Sequence, residues 1–125
     1  MVQRLTLLIL TLSSSALLMA QGKIVINESM QSNVDFMMVD RDFPDSWVEL
    51  YNTGDETVNL QDYKLSNKTK AKNAWQLPAK TVNPKGHVIV YCDKEEVGLH
   101  TNFRLESGKG CVVYLFKNGE IVDTT

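Results

Sequence analysis

Asp40, Asp42 and Asp45, with Asp35 upstream, crowd carboxylates into one stretch of chain. Such spacing suits a hard cation such as Ca²⁺, which takes roughly six to eight oxygens at tolerant geometry. An EF-hand loop would also need a Gly and a bidentate Glu at fixed offsets, and these are missing, so a solvated acidic loop is the competing reading. Glu28 and Glu49 are the carboxylates that could be set on either side of a glycosidic bond, one as acid and one as nucleophile or base. That mechanism also demands a substrate cleft, which a small β domain scarcely offers. His87 and His100 lack metal-ligand spacing relative to each other, and no Ser/His/Asp order with a nucleophile turn surrounds them. Each reads as a surface or hydrogen-bonding histidine, and no residue is assigned a catalytic role.

The aromatic residues offer a different chemistry. Trp47, Tyr51, Tyr63 and Trp75 could form a platform for a sugar ring or a peptide. In "WVELYN" (47–52) alternate residues share a face, so Val48 and Leu50 point one way while Trp47, Glu49 and Tyr51 point the other. The aliphatic pair reads as core. Trp47, Glu49 and Tyr51 are therefore the candidate ligand contacts, on an outer or half-covered face. Glu49 is expected to meet a Lys or Arg on a neighbouring strand, a cross-strand pair of about 0.2–1 kcal/mol that fixes register more than it stabilises. Trp75, just ahead of "QLP", reads as packed. No cofactor is expected apart from the candidate Ca²⁺ at Asp40, Asp42 and Asp45.

The elements that must position these residues follow from composition and pattern. The chain has 125 residues, 43% hydrophobic and 22% charged, with a net charge of −2. That is room for one globular domain. It supplies no broad positive field, so nucleic acid is not an expected partner. Residues 1–20 stand apart: Arg4, the apolar run "LTLLILTL" and a small-residue end through Ala20 read as a secretory signal peptide, with Ser13 to Ser15 interrupting the run short of the ~20 apolar residues that span a bilayer. Export to the periplasm, the cell surface or the medium follows, and the mature chain, 21–125, is expected to have no membrane span. Export also lets disulfides persist. Cys92 and Cys111 lie in separate expected strands, where a disulfide and two buried thiols are equal alternatives. The absence of CxxC argues against a zinc site.

From Lys23 onward, short apolar or alternating runs are cut by turn residues every ten or so positions, an all-β signature. "KIVIN", "SWVELYN", "TVNL" with "YKLS", "AWQLP", "HVIVYC", "CVVYLF" and "GEIVD" give about seven strands. Asn118-Gly119 predicts a hairpin between the last two. The expected fold is an immunoglobulin-like β-sandwich of two antiparallel sheets, with a small closed barrel as the alternative. The segment between the first two strands, "SMQSNVDFMMVDRDFPDS", has no clear period and reads as a long loop. Asn27-Glu-Ser and Asn67-Lys-Thr match N-glycosylation sequons, meaningful only in a eukaryote.

"KIVINESMQSN", "WVELYNTGDETVNLQDYKLSN", "WQLPAKTVNPKGHVIVYC", "NFRLESGKGCVVYLF" and "GEIVD" together resemble the lamin tail domain family, in its bacterial secreted branch. The likeness covers residues 23 to 123. It implies an immunoglobulin-like sandwich without catalytic residues, acting as an interaction or attachment module whose partner is another protein or a cell-surface component. Bacterial modules of this kind accompany hydrolases, nucleases or spore-coat-kinase-like proteins. An accessory role beside a catalytic part beyond residue 125 is therefore an alternative, as is a carbohydrate- or Ca²⁺-binding module. Family members continue past "GEIVD" into a further edge strand. Without that strand an edge with unpaired N–H and C=O groups is expected, and a monomer or an edge-paired dimer with it.

Overall fold

The computed structural model describes residues 23–30, 46–105 and 111–125. The expected signal peptide and the acidic stretch holding Asp35, Asp40, Asp42 and Asp45 lie outside them. Among the described residues the strands are β1 (Ile24–Met30), β2 (Trp47–Asn52), β3 (Val58–Asn59), β4 (Tyr63–Ser66), β5 (Trp75–Gln76), β6 (Thr81–Val82), β7 (His87–Tyr91), β8 (Tyr114–Lys117) and β9 (Glu120–Thr124). They form a three-stranded sheet in the order β1-β2-β7, a four-stranded sheet β5-β4-β8-β9 and a two-stranded pair β3-β6. All pairings between these strands are antiparallel.

Alternation explains how the layers meet. Val48, Leu50, Val88 and Val90 project from the first sheet, Leu65 and Leu115 from the second, and Ile24, Leu60, Leu77, Val82 and Val113 fill the space between them. Each is less than a tenth exposed, and burying such side chains contributes about 1.5–3 kcal/mol apiece. The result is an all-β sandwich, as the strand pattern predicts. Four features differ from expectation. β7 ends at Tyr91 and β8 begins at Tyr114, so Cys92 and Cys111, expected within strands, lie just outside them. "TVNL" is cut to β3 because the Asn59 side chain accepts from the Gln61 backbone N–H and starts a 3₁₀ turn over Leu60–Asp62. β6, only two residues long, carries too short a pattern to see.

The turns obey local rules. Asn118 and Gly119, with φ of 53° and 79°, form the tight turn between β8 and β9, since a positive φ at both central residues suits the strand twist. Pro84 presets its own φ, Lys85 takes a φ of 60°, and Gly86 N–H closes the turn on Asn83 O at 2.8 Å. A Cβ on Gly86 would sit 2.8 Å from that same oxygen.

Asn52, at the end of β2, joins this turn to the rest. It is fully buried and lies on the same strand face as Val48 and Leu50. Its Nδ2 donates to Glu56 O at 2.7 Å, Val82 O at 3.1 Å and Asn83 O at 3.2 Å, its Oδ1 accepts from Gly54 N–H at 3.0 Å, and its own N–H donates to Gly86 O. One amide thereby ties the turn after β2 to the end of β6 and the entry to β7.

At the same end of the sheet, where Ile24 pairs with Asn52, β1 lies beside β9. The Asp123 Oδ2 accepts from Ile26 N–H at 2.7 Å, and Tyr63 Oη takes Ile24 N–H at 3.4 Å. Two outward donors of the β1 edge are thus occupied by side chains. β9 is the edge of its own sheet, with Ile121 and Val122 exposed. Replacing Asn52 by Leu strands a converging set of buried carbonyls and the Gly54 N–H, each costing about 1–3 kcal/mol when unmet. Urea unfolding should therefore show Asn52→Leu destabilised by about 3 kcal/mol, whereas the exposed Asn73→Leu should stay within about 0.5 kcal/mol of wild type.

Candidate functional site

The residues with chemical potential gather on the outer face of the β1-β2-β7 sheet. Three cross-strand rows make up that face: Val25–Tyr51–His87, Glu28–Glu49–Ile89 and Met30–Trp47–Tyr91. The middle row sets two carboxylates opposite each other, an arrangement that ordinarily destabilises a sheet. A β-bulge answers it. The register shifts between Ile26 and Glu28, and the intervening Asn27 donates from Nδ2 to Glu49 Oε1 at 2.6 Å. Glu28 stays exposed to water.

Glu49 does not meet the Lys or Arg expected for it. Its second partner is His87 Nδ1 at 3.2 Å, and the His87 ring stacks on Tyr51 with centroids 4.5 Å apart and planes at 23°. Register decides this, because β7 presents His87 and Ile89 to that face and no lysine. The other histidine repeats the pattern. His100 Nδ1 lies 2.5 Å from Asp93 Oδ2, with the ring stacked on Tyr91 at 4.9 Å. Both histidines are hydrogen-bonding residues, each with one nitrogen on a carboxylate and one face on a tyrosine. A carboxylate on Nδ1 orients an imidazole, and here orientation serves packing across strands and the loop after β7.

Trp47 requires a correction. Strand parity puts it on the outer face with Tyr51, but it is only 3% exposed, so its ring is not offered to a ligand. Parity tells which face a side chain takes and nothing of what covers that face. Tyr51 is half-buried and Glu49 partly so, which leaves a smaller surface than the three residues suggested. Trp75 packs against the core as a partly buried residue and Tyr63 lies within it. Among the described residues no group of three or more His, Cys, Asp or Glu is placed to hold a metal ion. Asp40, Asp42 and Asp45 lie outside those residues. No described helix is long and apolar enough to cross a membrane.

Cys92 and Cys111 stand as two thiols. Cys92 is fully buried, and Cys111 packs partly buried against the same core. Burial pushes the Cys92 thiol up to about 12, opposed by a hydrogen bond with Thr101 and aided by the nearby Asp93 charge. Such a thiol is a core group and a poor nucleophile.

Sequence reasoning overlooked Asn52, Ser46 and Thr101, all fully buried polar residues. Ser46 Oγ donates to Cys92 O at 2.8 Å and accepts from Leu105 N–H at 3.3 Å, fastening the entry of β2 to the chain after β7. A signal was present for Asn52 alone, since a polar residue in register with Val48 and Leu50 must find partners inside.

A family model described as Lamin Tail Domain matches residues 18–125. No curated protein matches the chain.

Two measurements check this site. Trp47→Ala should lower unfolding stability by about 3 kcal/mol, as for a buried aromatic, while Glu49→Gln should cost less than about 1 kcal/mol, as for a partly exposed pair. Unfolded without reductant, the protein should show two reactive thiols, and Cys92 should resist alkylation in the folded state across neutral pH. Because its folded value lies above that of an unfolded thiol, the stability it lends is complete below about 9 and lost as pH rises toward about 12.

Proposed function

The chain belongs to the lamin tail domain family, and from that membership we propose that it is a non-catalytic interaction module, exported and used for attachment to another protein or a cell-surface component. Domains of this family are immunoglobulin-like sandwiches without enzymatic machinery. The observation that carries the reading is the fate of the chemistry-bearing side chains. Glu49 and His87 bond to each other, as do Asp93 and His100, and each ring lies flat on a tyrosine. These contacts hold strands together on a sheet surface. Glu28, the supposed partner of Glu49 in glycoside chemistry, stands exposed beside it.

Export is the finer part of the proposal, supported by Arg4, the apolar run after it and the small-residue end at Ala20. An accessory place beside a further domain is in keeping with the bacterial branch that the sequence resembles. No resident cofactor is required by this reading.

Expressed with its own leader, the protein should leave the cytoplasm and begin at or close to Gln21 by mass spectrometry. Retention of residues 1–20 would remove export. Incubated with glycoside, phosphodiester and ester substrates, it should give the same background as its Glu49→Gln variant. Turnover abolished by Glu49→Gln would overturn the non-catalytic reading. Calorimetry with Ca²⁺ and with a glycan panel should show no heat of binding, and a saturable response would replace attachment with ligand capture.

A further inference from the structure

The chain's 13 basic and 15 acidic residues are not mixed. Lys64, Lys68, Lys70, Lys72, Lys80 and Lys85 all fall between Tyr63 and Cys92, a stretch with no Asp or Glu, so a near-neutral total hides a cationic part and an acidic remainder. Four of these lysines lie in or just after β4. On the outer face of the four-stranded sheet one cross-strand row runs Gln76–Lys64–Phe116–Ile121, opposite the side on which Leu65 and Leu115 enter the core. A depression of about 310 Å³ opens at the Lys64 and Phe116 positions of this row, lined also by Ala71 and Gly119 among others, with Asp62 as its carboxylate. Phe116 is buried as its floor, whereas Ile121 is 43% and Val122 38% exposed on β9 alongside. Lys70 and Lys72 flank Ala71 on the short 3₁₀ turn Ala71–Asn73, and both are exposed.

We propose that this depression and its lysine rim bind an extended polypeptide segment that alternates acidic and apolar residues. The inference rests on the reading of the domain as an interaction module and names the chemistry of its partner. Charge complementarity supplies the first reason, since the exposed ammonium groups of Lys64, Lys70 and Lys72 outnumber the carboxylates beside the depression, Asp62 and Glu120. The second is the exposed apolar pair Ile121 and Val122 on β9, which aliphatic side chains of a peptide would cover and which sugar or phosphate chains would leave wet. The third is the identity of the cations. All are lysines, flexible point charges, and none is an arginine with the planar fork that grips a phosphate through two hydrogen bonds. The volume of the depression suits one or two side chains of such a segment.

The test uses the full exported protein and a short fluorescent peptide of alternating Glu and Val, followed by anisotropy at low and at raised salt, with the peptide's mass checked afterwards. Binding should be saturable, weaken as salt rises, and fall about tenfold in Lys64→Glu/Lys70→Glu/Lys72→Glu, the loss expected for three exposed ion pairs. Ile121→Ser should weaken it about threefold through the apolar pair. Lys94→Glu, on the loop after β7, should leave it within about twofold. If the triple reversal does not fold by circular dichroism, the milder Lys64→Gln/Lys70→Gln/Lys72→Gln carries the same expectation of weakened binding. Absence of binding at low salt, or binding indifferent to the lysine changes, overturns the proposal and leaves the module reading intact. Equal binding of oligothymidylate or polygalacturonate overturns the assignment to a peptide. A cleaved peptide would instead overturn the non-catalytic reading.

Discussion

The architecture depends on one buried amide. Val82, Asn83 and Glu56 turn their carbonyl oxygens toward the end of β2, and Asn52 supplies the donors that make this convergence tolerable. Carbonyls brought together in a dry interior without a donor would each carry a desolvation cost of about 1–3 kcal/mol. With the amide present, the turn after β2, the end of β6 and the Asn83–Gly86 turn are held to one another. The position of β7 against β2 follows, and with it the placement of His87 opposite Tyr51 and beside Glu49. The geometry of the outer face is therefore set from inside the sandwich.

The two outer faces have different chemistry. On the β1-β2-β7 sheet, polar side chains satisfy one another: Asn27 and His87 share Glu49, and aromatic rings stack over the strands. That face is largely self-contained. On the β5-β4-β8-β9 sheet, Lys64 is exposed over the buried ring of Phe116, and Ile121 stands next to it with its side chain partly in water. A binding module needs at least one surface whose groups are not already consumed, and the second sheet supplies it. The edges are treated unequally as well. Asp123 and Tyr63 occupy donors of β1, an inward-turned charge of the kind that discourages strand addition, while β9 keeps Ile121 and Val122 exposed.

Several details were legible in the sequence. Asn118-Gly119 announced the last hairpin because few residue pairs adopt two positive φ values in succession. The alternation of 47–52 assigned Val48 and Leu50 to the core correctly, and the same parity held a neglected message about Asn52. Other features were hidden for physical reasons. β3 and β6 are two residues each, too short for periodicity to register. The partner of Glu49 depended on which residue of a distant strand came into register, and the bulge at Asn27 shifted that register by one residue.

By itself the amino-acid sequence determined the all-β class, the family, most strand positions and the faces of the strongest strands, since backbone sterics and a two-residue side-chain period act locally. Tertiary structure alone decided that Trp47 is enclosed, that Cys92 and Cys111 line one core as thiols, that two histidines each pair with a carboxylate and a tyrosine, and that Lys64, Ala71 and Gly119 line one depression with Phe116. Each of these rests on segments far apart along the chain being brought together, and burial is a property of what lies over a residue, which no local pattern encodes.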